Sequence, residues 1–118
     1  MERIGDDSAG VSIDFDASAN IVQVRGWGFW NVDVAASFGL RVCEACTNRP
    51  RGTRLTLELT ALKPMREEGQ RSFTLLLSTL SSLRVTATVV ATGNHLTKLQ
   101  LMRLGAGVSG SKGVLEFV

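Results

Sequence analysis

Apolar and polar residues alternate strictly along Leu55-Thr56-Leu57-Glu58-Leu59-Thr60, although helix-like segments flank this stretch on both sides. A strand in a parallel sheet covered by helices on both faces reads as a near-continuous apolar run. Period-two alternation therefore means that one face meets water or a partner. Thr86-Ala87-Thr88-Val89 partly repeats the pattern, and Ile21-Val22-Gln23-Val24-Arg25 repeats it with Val22 and Val24 inward. Together these segments predict a sheet padded by helices mainly on one side.

The remaining elements arrange themselves around those strands. Residues 1–10 read as a flexible leader, Val11–Phe15 as a first strand, and Asp16–Asn20 as the turn of an antiparallel hairpin with Ile21–Arg25. Asn31 is placed to cap a helix from Val32 to Cys46, in which Ala35, Phe38, Val42 and Ala45 share one face. After the central strand, Arg54–Thr60, the connector Ala61–Met65 leads to a second helix over Arg66–Ser81, where Phe73, Leu76, Leu77 and Leu80 recur at helical spacing. Leu83–Ala91 reads as a strand, His95–Leu104 as a third helix and Val114–Val118 as a terminal strand. The expected fold is a single α/β domain over residues 11–118, order ββαβαβαβ, with a mixed, mostly parallel five-stranded sheet. Helical crossovers between the later strands impose the parallel direction.

Composition narrows the possible partners. A chain of 118 residues suits one core, and 13 basic against 11 acidic residues leave a net charge of only +2. The basic residues are scattered, apart from Arg49, Arg51 and Arg54 around Pro50 and Gly52, which read as a solvated turn; no nucleic-acid partner is expected. The polar N-terminus, Met1–Asp7, lacks a signal-peptide core, and Ser78 and Thr79 interrupt the apolar run around Leu75–Leu80. A membrane is therefore not an expected partner, and a reducing cytoplasm with Cys43 and Cys46 as free thiols is the expected setting.

Candidate chemistry is sparse. Gly105-Ala106-Gly107-Val108-Ser109-Gly110 matches the dinucleotide fingerprint in letters, but a helix precedes it where a strand is needed. Gly110-Ser111-Lys112 is no phosphate loop either, because its lysine is misplaced and no helix follows. Cys43-Glu44-Ala45-Cys46 has redox spacing yet falls late in a helix, whereas thiolate activation uses the helix start. His95, the single histidine, has no recognisable nucleophile or second ligand pair to serve. An enzyme, a metal site and a cofactor are accordingly not expected. Trp27, Phe29 and Trp30 form the densest aromatic group and read equally as interface anchors, as the lining of an apolar ligand mouth, or as a cap on the core.

The element order, with Glu58-Leu59-Thr60 leading through an apolar connector to Arg66-Glu67-Glu68-Gly69, resembles the STAS domain of anti-sigma factor antagonists. Thr88–Gly93, the third helix and Leu104-Gly105 are similar to the later part of that domain, so the resemblance covers almost the whole chain. It implies a non-enzymatic regulatory module that binds a protein partner, a kinase-like anti-sigma factor or related regulator, through the start of the second helix. The partner-binding residues it implies are Lys63, Pro64, Met65, Arg66, Glu67, Glu68, Gly69 and Gln70. The family carries a phosphorylated serine or threonine where this chain has Arg66, Glu67 and Glu68, so no hydroxyl stands at the switch position. The alternative is a lipid- or nucleotide-binding carrier of the same general fold with Trp27, Phe29 and Trp30 at its mouth. A third reading makes the polar sheet face, with Thr56, Glu58, Thr86 and Thr88, the interface of a homodimer.

Overall fold

Two turns of the same design fold the first part of the chain into an antiparallel meander of β1 (Glu2–Gly5), β2 (Gly10–Asp16) and β3 (Ile21–Gly28). In the first turn Asp6 Oδ1 accepts from Ser8 N at 2.9 Å, Ser8 Oγ at 2.7 Å and Ala9 N at 3.1 Å. Asp16 repeats this with Ser18 N at 3.1 Å, Ser18 Oγ at 2.7 Å and Ala19 N at 3.2 Å. The serine hydroxyls, seconded by these backbone N–H groups, hold both carboxyls below the usual carboxylate range. Such side-chain bonds offer the backbone a turn in place of a longer strand.

The computed structural model describes residues 1–108 and 115–118. After β3 the chain alternates α1 (Val32–Cys46), β4 (Arg54–Leu62), α2 (Glu67–Leu83), β5 (Thr86–Val90), α3 (His95–Ala106) and β6 (Leu115–Phe117). The six-stranded sheet follows chain order, β1-β2-β3-β4-β5-β6, with β3 to β6 mutually parallel. Every crossover therefore steps in the same direction, and right-handed connections put all three helices on one face.

The alternation in the strands becomes two unlike sheet faces. Val22, Val24, Leu55, Leu57, Leu59, Ala87 and Val89 join Phe38 and Val42 of α1, Phe73, Leu76, Leu77 and Leu80 of α2 and Leu101 of α3 in one buried cluster. On the reverse face Gln23, Arg25 and Thr86 are exposed, and Thr56, Glu58 and Thr88 are half-buried. The helices lie close because Gly39 meets α2 without a side chain: its N–H donates to Ser72 Oγ at 2.7 Å, and a Cβ there would stand 2.6 Å from Ser72 O.

Three expectations are corrected. The sheet has six strands rather than five, because Glu2–Gly5, read as part of a leader, pairs with β2. Its anchors are a half-buried Ile4 against the core and an ion pair of 3.4 Å from Glu2 to Arg41 on α1, neither visible in a short polar stretch. The second helix runs on to Leu83 and closes at Arg84 with a left-handed φ of 55°, so β5 begins at Thr86 instead of Leu83. The third helix extends to Ala106. Ser109 to Val114, including Gly110-Ser111-Lys112 and the expected start of the last strand, lie outside the described residues.

Candidate functional site

At the carboxyl edge of the parallel strands, β4 ends in a connector whose backbone is tied down on both sides. Lys63 N donates to Gly28 O at 2.9 Å, fastening the connector to the end of β3. From the other side Asn94 Nδ2 reaches Thr60 O at 2.9 Å and Leu62 O at 2.6 Å, and the buried Thr97 hydroxyl donates to Leu62 O at 2.7 Å. Gln100 then brackets Met65: Met65 N donates to its Oε1 at 2.6 Å, and its Nε2 donates to Met65 O at 2.8 Å. Gln70 Nε2 adds a bond to the same carbonyl at 3.0 Å. A connector with every one of these groups paired is a fixed mount for the helix that follows.

The eight residues singled out from the sequence divide into mount and surface. Met65 is 6% exposed, and its side chain lies against Gly69, where a Cβ would come within 2.9 Å of Met65 Cβ. Met65, Gly69 and Gln70 thus build the helix start from inside, and Met65, expected among the partner-binding residues, is buried instead. Lys63, Pro64, Arg66 and Glu67 are exposed and Glu68 is half-buried. Arg66 stands at the N-cap without a capping bond from its side chain, and its guanidinium lies over the Phe29 ring at 4.7 Å. Phe29 is 45% exposed, so this stack presents an apolar edge and a charge together. Glu67 pairs with Arg71 one turn on. Carboxylates at Glu67 and Glu68 suit the uncapped N–H groups of the first turn.

The three aromatics do not converge. Trp30 is buried beneath Gly26, stacks on Phe38 with ring centroids 4.8 Å apart, and donates its indole N–H to Gly10 O at 3.0 Å. Phe29 stays at the carboxyl edge under Arg66, whereas Trp27 lies on the reverse face of the sheet opposite Gly10. His95 is exposed beside a shallow depression with Lys63, Pro64 and Leu96. Burial pushes the Cys46 thiol up to about 11 and raises Cys43 as well, so neither is a thiolate at neutral pH.

Sequence reasoning missed Thr97 and Gln100, which face the connector from the third helix. The helix's untidy apolar pattern is the trace they leave, since Thr97 and Gln100 occupy positions turned toward the body of the protein. Asn94 stands at the N-cap of α3, makes no capping bond there and spends its amide on β4.

The fold and site define an α/β protein, with a mixed six-stranded sheet and three helices among the described residues. No family model matches the chain, and no curated protein matches it.

Proposed function

We propose that this chain is a non-enzymatic, STAS-like protein-interaction module of a bacterial regulatory pathway, similar to anti-sigma factor antagonists. The observation that supports the reading is the clamped connector. Asn94, Thr97, Gln100 and Gln70 spend their polar groups on holding Thr60 to Met65, and the side chains left outward are Lys63, Pro64, Arg66, Glu67 and Glu68 beside Phe29. A rigid strip of mixed charge, basic at Lys63 and Arg66 and acidic at Glu67 and Glu68, with an aromatic neighbour is a recognition surface, preorganised so that little ordering entropy is lost on binding. The partner in this reading is a kinase-like anti-sigma factor or a related regulator.

The switch of that family is missing at its usual position. Arg66, Glu67 and Glu68 offer no hydroxyl, and the nearby Ser72 is 7% exposed with its Oγ occupied by Gly39 N. In this reading the start of the second helix binds its partner without a phosphorylation switch at that position. The carrier reading draws no support, because Trp27, Phe29 and Trp30 face three separate surroundings rather than one mouth. The test is a titration of the purified chain with the kinase-like or sigma-regulating proteins of its own genome. An Arg66→Ala, Glu67→Ala, Glu68→Ala variant is expected to bind at least about tenfold more weakly, or ~1.4 kcal/mol, while its circular dichroism spectrum stays that of the parent fold. Equal affinity in the variant would remove this surface from the account.

A further inference from the structure

On the uncovered face of the sheet, the register places Arg3, Ser12, Arg25 and Glu58 in a single row across β1 to β4. Neighbouring strands lie about 4.8 Å apart, so the two arginines flank the serine with roughly 10 Å between their backbones. Trp27, two residues along β3 from Arg25, flanks one side of this row. It lies across Gly10, where a Cβ would meet Trp27 Cζ2 at 2.8 Å, and its indole N–H donates to Asp6 O at 2.8 Å, which fixes the ring as a wall. Arg3 lies over that ring at 5.3 Å and pairs with Asp7.

Arg25 is the informative residue. Its register neighbour Glu58 stands where a cross-strand ion pair is expected, yet among the described residues no ion pair joins them. Glu58 Oε1 instead accepts from Thr60 Oγ1 and from Thr60 N at 3.3 Å. The concavity bounded by Met1, Arg3, Asp7, Ser12, Arg25 and Trp27 thus sets the two guanidinium groups and the hydroxyl against one side-chain carboxylate. The other carboxylate on this face near β2, Asp14, bonds its own neighbour, Phe15 N, at 3.0 Å.

We propose that this concavity binds a phosphate-type oxyanion. Arg25 supplies the planar fork that matches such a group with two parallel bonds, Ser12 supplies a hydroxyl donor, and Arg3 adds charge from the tryptophan side. The site lies on the opposite face of the sheet from the helices, separate from the α2 surface, so it stands or falls independently of the interaction-module reading.

The experiment titrates inorganic phosphate and pyrophosphate into the Trp30→Phe variant at low ionic strength, so that fluorescence reports on Trp27. A saturable change is expected, stronger for pyrophosphate, that sodium chloride at matched ionic strength does not reproduce. Arg25→Ala is expected to weaken binding at least about tenfold, and Asp7→Asn to tighten it by removing the competing carboxylate. Because Trp30 is buried, backbone amide shifts at Ser12 and Arg25 in the unaltered chain provide the same readout without that substitution. No saturable response in either measurement, a response matched by chloride, or unchanged affinity in Arg25→Ala would overturn the site.

Discussion

The two faces of the sheet are built from the same strands and obey opposite rules. On the helix side, Val24, Leu57 and Val89 are at most 1% exposed and sit in one packed cluster with α1 and α2. On the reverse side, one residue along each strand, Arg25, Glu58 and Val90 remain at least partly open to solvent. A single-residue register shift would exchange the two sets, so the alternation that makes the protein one-sided also locks its strand pairing. The comparison separates stability from recognition: the covered face holds the fold together, and the surfaces left to water are where partners or ligands are to be sought.

The largest expected effect sits on the covered face. Leu57→Ala, at a fully buried position, is expected to cost about 2–5 kcal/mol in urea unfolding, whereas the adjacent Thr56→Ala should stay within ~0.5 kcal/mol. Similar losses at both positions would erase the distinction between the faces. Gly39→Ala comes next. Its new methyl would press on the Ser72 carbonyl at the α1–α2 crossing, and chemical denaturation is expected to show a loss of about 1–3 kcal/mol.

Smaller again is Gln100→Ala, which deprives Met65 N–H of its acceptor while Gln70 still serves the Met65 carbonyl. A loss of about 1 kcal/mol is expected, together with faster hydrogen exchange at Met65 than at Leu57. Uniform exchange across both would contradict a locally loosened connector.

Smallest is the pH dependence set by Cys46, which does not show at neutral pH. Burial raises its thiol from the ordinary 9.0 to about 11, so the unfolded chain loses this proton first. The associated stability is present in full below pH 9.0 and declines as pH rises toward about 11. Urea midpoints measured across that window should fall less steeply in Cys46→Ala than in the parent; parallel slopes would remove Cys46 as the cause.

Strands with a covered and an open face announced themselves plainly. The alternation in Ile21–Arg25 and Leu55–Thr60 carries both the sheet and its one-sidedness, and α1 starts at Val32 and ends at Cys46 where its cap and apolar spacing put it. β1 was not legible, because Glu2–Gly5 holds only one inward apolar residue, Ile4, and is recruited by pairing with β2 rather than by its own pattern. At the candidate site, the charged residues could be picked out from their place ahead of α2. Their division into surface and mount could not, since it depends on Gln100 and Thr97, more than thirty residues away in the chain, meeting the connector only after folding.

The most direct test of the one-sided sheet is native-state labelling by a bulky, charged thiol reagent in a Cys43→Ala, Cys46→Ala background. Gln23→Cys and Thr86→Cys are expected to react at nearly the rate of the unfolded chain, and Val24→Cys and Ala87→Cys only on unfolding. Protection of the first pair equal to that of the second would mean that both faces are covered, and would contradict the account.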